Sequence, residues 1–81
     1  MQKGKFLVYS KAACGFCSRL TEFMDNKAVD YEKFELGEDF SIEDFVRKFG
    51  HNSSFPQVVY HNEHIGGMKN TVRYLLDHKI V

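Results

Sequence analysis

Two cysteines stand close together in the chain, Cys14 and Cys17, with Gly15 and Phe16 between them. Thiols at that spacing can exchange with a disulfide: one thiolate attacks, and the second resolves the mixed disulfide that forms. The pair could also be half of a zinc site completed by His61 and His64, or chemically inert. The two histidines are one residue closer than the usual H-x₃₋₅-H arrangement. They also fall across a predicted hairpin turn, where their side chains need not converge. Redox chemistry is therefore the reading the spacing favours.

That chemistry depends on what positions the thiols. Lys5 to Ser10 contains the apolar run Phe6-Leu7-Val8-Tyr9, which reads as a short strand buried on both faces. From Gly15 to about Lys27, Phe16, Leu20, Phe23 and Met24 fall at helical spacing. Val29 to Leu36 mixes apolar residues with charges, as an outer strand does. Ser41 opens a second helix with Asp44 three residues on, as in a capping box. Ile42, Phe45, Val46 and Phe49 form its apolar stripe, and Gly50 stands where a C′ glycine would. Gln57–Tyr60 and His64–Ile65 are short strands around a tight turn at Asn62. Gly66-Gly67 then lead into a last helix with Met68, Val72, Leu75 and Leu76 on its inner face.

The predicted order is thus β-α-β-α-β-β-α. The first βαβ unit must be parallel and right-handed, and the late strands form an antiparallel hairpin. The expected fold class is α/β, a four-stranded mixed sheet flanked by three helices. Both cysteines then sit where the first strand ends and the first helix begins. The first-turn N–H groups and the positive end of the helix dipole would stabilise a thiolate on Cys14. Lys11 adds a nearby cation. In such settings a cysteine pKa falls from about 8.5 to between ~3.5 and 7.5. Cys17, one turn further in, should be the less exposed, so Cys14 attacks and Cys17 resolves.

The remaining sequence narrows the class. Eighty-one residues predict one domain, 1–81, burying roughly 60% of its unfolded surface. With 43% hydrophobic and 15% aromatic residues it is too apolar to be disordered. Its eight Phe read as core, apart from Phe16 and Phe55 near the site. Eleven basic and eleven acidic residues cancel, so nothing recommends nucleic acid as a partner. No apolar stretch approaches the ~20 residues of a membrane span. The N-terminus has no apolar signal core, so a cytoplasmic protein is expected. Charge is uneven along the chain. Residues 28–46 hold Asp30, Glu32, Glu35, Glu38, Asp39, Glu43 and Asp44 against Lys33 alone, which reads as a solvated face. Residues 1–20 hold Lys3, Lys5, Lys11 and Arg19 with no acid, a basic end that could steer an anionic substrate.

Several motifs in order make the chain resemble a glutaredoxin, with its thioredoxin-like fold, over essentially its whole length. They are Tyr9-Ser10-Lys11, the C-x-x-C, Phe55-Pro56-Gln57-Val58, and Ile65-Gly66-Gly67 before the last helix. The resemblance implies a cis Phe55–Pro56 bond opposite the dithiol, and a groove for glutathione beside Cys14. It assigns Lys11 to the glycine carboxylate of glutathione and Phe16 to a site usually held by Tyr. Phe55, before Pro56, offers its backbone to the cysteinyl part. Gly67, Met68 and Asn70, at the start of the last helix, would hold the γ-glutamyl end. This chain departs from the pattern in three places. Gly15 stands where proline is familiar, Met68-Lys69-Asn70 where Asp or Thr is usual at one or both of the last two positions, and Ser54-Phe55-Pro56 where Thr-Val-Pro is common.

The resemblance therefore implies a monomeric, glutathione-dependent thiol–disulfide oxidoreductase with glutathione as co-substrate. Its partners would be protein disulfides or glutathionylated proteins, with ribonucleotide reductase as a family-level acceptor. One alternative is a homodimer bridged by a [2Fe–2S] cluster through Cys14, since Cys-Gly-Phe also opens the single-cysteine motif of cluster-binding relatives. Cys17, and the absence of their short insertion before Cys14, place this chain nearer the two-cysteine class. Another is a thioredoxin-like reductant served by a flavoprotein reductase. The absent Trp before Cys14 and the Gly66-Gly67 pair argue against it.

Overall fold

The computed structural model describes residues 5–81. Strand β1 (Phe6–Ser10) leads to helix α1 (Gly15–Asn26), strand β2 (Tyr31–Glu35) and helix α2 (Ile42–Phe49). Strands β3 (Gln57–Tyr60) and β4 (Glu63–Gly66) and helix α3 (Met68–Asp77) follow, the expected order. The sheet runs β2-β1-β3-β4, with β1 parallel to β2 and antiparallel to β3, and β4 antiparallel to β3. The β3–β4 turn has positive φ at both His61 and Asn62, as a two-residue hairpin turn that matches strand twist requires.

Central β1 has both faces covered, which its unbroken apolar run anticipates. Phe6 and Val8 pack with Leu20 and Met24 of α1, Val58 of β3 and Leu75 of α3, so α1 and α3 share one face. Tyr9 points the other way, its ring 5.2 Å from those of Phe34, Phe40 and Phe49, and α2 covers that side. Phe45 extends this second cluster, stacking on Phe55 at 4.1 Å. Only Phe6 and Phe45 among the eight phenylalanines are buried; most of the others are half-buried, because a domain this small has little interior.

Several boundaries differ from the sequence pattern. Val29 is not in β2 but closes α1. Its N–H reaches the Met24 carbonyl while that of Ala28 reaches Asp25, a Schellman ending with Ala28 at φ 56°. Lys79 ends α3 likewise, at φ 56°. Gly50 serves as the C-cap of α2 rather than the residue beyond it, with φ 100°. Leu76 is 57% exposed rather than inward, since it lies a further 100° round the helix from buried Leu75, and Thr71 takes the inner position instead. Ile42, in the first turn of α2, is also largely exposed. The capping box forms as expected: Ser41 Oγ accepts from the Asp44 N–H at 3.1 Å, and Asp44 accepts in return from the Ser41 N–H.

Two stability predictions follow from these helix ends. Ala28→Gly removes a left-handed alanine at an exposed site, and should raise the unfolding free energy by about 0.5–1 kcal/mol in denaturant titrations. The hydrogen bonds from Ser41 hold the Asp44 carboxyl below its ordinary value of 3.8. Its stabilising contribution is thus complete above that pH and lost as pH falls through the depressed value. Asp44→Ala should be less stable than the parent at pH 7, and the gap should close in acid.

Candidate active site

β1 ends at Ser10, and after three intervening residues Cys14 caps α1. The turn needs Ala13 at φ 57°. Cys14 accepts the Cys17 N–H on its sulfur at 3.2 Å, and its carbonyl takes the first helical bond from Ser18. The helix therefore aims an orphan donor and its positive end at Cys14 Sγ, where a thiolate would form. Cys14 is half-buried, whereas Cys17 is 2% exposed on the inner side of α1, matching an attacking and a resolving thiol. The two are joined as a disulfide, with Cα atoms 5.3 Å apart.

Opposite the pair, the Phe55–Pro56 peptide bond is cis and Pro56 is buried. The Phe55 carbonyl oxygen lies 3.9 Å from Cys14 Sγ. Stacking of Phe55 on Phe45 turns its ring toward α2 and leaves its backbone beside the sulfur. Lys11 places its ammonium 5.2 Å from the Phe55 ring centroid.

A groove of about 510 Å³ runs from this backbone to the start of α3. Phe16, Phe55, Pro56, Gly67, Met68 and Asn70 line it, together with Ser54, Lys69 and Val72. Lys11 stands beside it rather than in its wall. Phe16 is 58% exposed, with the Arg19 guanidinium 5.8 Å from its ring. Gly66 has φ 123°, and a Cβ there would fall 2.5 Å from Asn70 Nδ2, so glycine is required both for its backbone and for the seat of Asn70. Gly67 caps α3 with no side-chain bond, in ordinary extended conformation.

Sequence reasoning gave Gln57 no contact and placed Val72 only in the core. Gln57 is buried; its Nε2 donates to the Ser54 carbonyl at 2.8 Å and its Oε1 accepts from His64 Nε2 at 2.6 Å, tying the groove wall to β4. The polar residue in an otherwise apolar strand was the available signal. His64 is thereby committed to Gln57 and His61 to the Tyr60 ring, 4.2 Å away. Among the described residues no group of three ligating side chains could hold a metal. Nor do the residues fit a cluster within one chain: Cys14 is the single accessible cysteine, and such a cluster takes four ligands. Among the described residues no helix is long and apolar enough to cross a membrane. Lys3, part of the expected basic end, lies outside the described residues.

The glutaredoxin family profile matches residues 6–65. Glutaredoxin 1 of Rickettsia prowazekii is 33% identical over 63 residues, covering 75% of this chain and 66% of that protein. Glutaredoxin 3 of Danio rerio is 32% identical over 66 residues, covering 82% of this chain and 20% of that protein. The chain thus spans about two thirds of the Rickettsia relative and a fifth of the fish one. Among solved structures, a buckwheat glutaredoxin–glutathione complex superposes with a TM-score of 0.74 at 28% identity, covering 95% of this chain and 73% of that one. Reduced Escherichia coli glutaredoxin, at 20% identity, a TM-score of 0.73 and coverage of 95% and 99%, shares the thioredoxin-like fold.

The seat of Asn70 makes the glycine pair asymmetric. Gly66→Ala should cost about 1–3 kcal/mol in chemical denaturation. Gly67→Ala, whose Cβ would meet only the Pro56 carbonyl oxygen at 3.4 Å, should cost clearly less.

Proposed function

Because the chain belongs to the glutaredoxin family, we propose that it is a glutathione-dependent thiol–disulfide oxidoreductase of the cytoplasm. The observation that carries this reading is Cys14 at the α1 N-terminus, accepting the Cys17 N–H and lying 3.9 Å from the carbonyl oxygen of Phe55, a residue of the groove wall. The buckwheat complex supports glutathione as the occupant of such a groove.

On a glutathionylated protein, the Cys14 thiolate attacks the glutathione sulfur. One S–S bond forms as the other breaks, and the released protein thiolate takes a proton. A second glutathione thiolate then attacks this mixed disulfide, giving oxidised glutathione and returning Cys14 as thiolate. On a protein disulfide, Cys14 attacks one sulfur and Cys17 next attacks Cys14, releasing the reduced protein and leaving the internal disulfide. Two glutathiones reduce it. The α1 N-terminus holds the charge on Cys14 whenever it is the leaving group. In this reading the Phe55 backbone, whose carbonyl lies 3.9 Å from Cys14 Sγ, pairs with the cysteinyl peptide of the bound thiol, a contact that does not depend on its side chain.

The test is reduction of a glutathionylated peptide by glutathione, coupled to glutathione reductase and NADPH. Cys14→Ser should lower the rate by roughly 10³-fold or more. Cys17→Ser should retain this activity while losing reduction of protein disulfides. A folded, reduced parent without activity would overturn the proposal.

A further inference from the structure

The groove has an unusual charge balance at the end away from Cys14. None of the residues lining it is acidic, and Lys69 stands in its wall. The first turn of α3 likewise carries no acid, and its N-cap is a glycine with no side-chain bond. Among the described residues the one ion pair is Arg47–Asp44, so Lys69 has no carboxylate partner. Asn70, whose Nδ2 packs over Gly66, offers an uncharged amide oxygen there and no carboxylate. Two positive features, the helix N-terminus and Lys69, therefore meet whatever lies there.

An amino-acid end, with a carboxylate and an ammonium on one carbon, fits this poorly. The carboxylate is attracted, but the ammonium enters beside a cation with no acidic group to receive it, and like charges in that arrangement repel. We infer that this end of the groove selects thiols whose end distal to the sulfur is anionic and carries no ammonium, with Lys69 as the specificity-determining residue. The inference rests on the proposed function, since it concerns which low-molecular-weight thiol that site prefers. The groove takes a tripeptide-sized thiol in the same orientation relative to Cys14, and only the chemistry of its amino end changes.

The experiment compares two mixed disulfides of one fluorogenic cysteine peptide. One carries glutathione. The other carries glutaryl-cysteinyl-glycine, the same tripeptide with hydrogen in place of the α-ammonium. Chain reduced beforehand with dithiothreitol, and freed of it, is mixed with each, and the rate of peptide release is measured against substrate concentration. The parent should favour the desamino substrate by about threefold in kcat/KM, the size expected of one exposed charge contact. Lys69→Asp, at an exposed first-turn position where an acid suits the helix, should reverse the preference to favour glutathione. Lys69→Gln should bring the ratio to about one, and raising the salt should shrink the parent's preference. A parent active on both substrates but favouring glutathione, or a ratio that Lys69→Asp leaves unmoved, would overturn the inference. A reduced parent that releases peptide from neither would overturn the proposed function itself.

Discussion

The site depends on one junction, where buried β1 hands the chain to α1 and a sulfur takes the place of the usual capping oxygen. Cys14 accepts the Cys17 N–H at 3.2 Å, so the thiol proposed to attack is also the helix cap. Anything that anchors β1 and α1 therefore fixes the thiol. Phe6 and Val8 do so from the strand, against Leu20 and Met24 of the helix. Cys17, on the inner side of the same turn, is buried by the same packing. The asymmetry between an accessible and a sheltered thiol is thus a consequence of the core and needs no separate device.

The opposite wall is held by a second cluster on the other face of the sheet. Phe45 packs on Phe55 at 4.1 Å with Phe40 nearby, and Phe45 in turn lies against Phe49. This stack fixes the residue before Pro56 from behind, leaving its carbonyl toward Cys14. Gln57 secures the following step through Ser54 and His64. Helix α2 therefore reaches the site only through aromatic rings. That explains why an eight-residue helix with one fully buried side chain still matters to the groove.

Much of this was legible in the sequence because local rules suffice. The unbroken run Phe6–Tyr9 identified the central strand, Ser41 and Asp44 the start of α2, and the C-x-x-C at a strand–helix junction the chemistry. The positions that escaped depend on partners distant in sequence. Val29 looks like strand because it is β-branched, yet the Schellman ending of α1 claims it. Leu76 fits the apolar pattern of α3 as well as Leu75 does, and only the position of the sheet decides between them. The role of Gln57 required His64 to arrive on β4, and that of the Phe55 ring required Phe45 on α2. Neither pairing has a signal at short range.

The charge pattern resolves in the same way. The acids of residues 28–46 looked like a solvated face, but three of them hold structure. Glu35 accepts from Ser10 Oγ at 2.9 Å, Asp39 accepts the Glu35 N–H at 2.8 Å, and Asp44 caps α2. They tie the β2 edge and the start of α2 in place, and β2 lies on the side of β1 away from β3 and β4. The start of α3 follows β4, three strand spacings or about 14 Å from β2. That exceeds the screening length of about 8 Å at physiological salt. The acidic edge thus cannot offset the cation at the α3 end of the groove, and a chain with no net charge keeps a locally positive site. The uniform balance of eleven against eleven conceals a division of labour, in which acids near β2 stabilise the scaffold while Lys11 stands beside the groove and Lys69 in its wall.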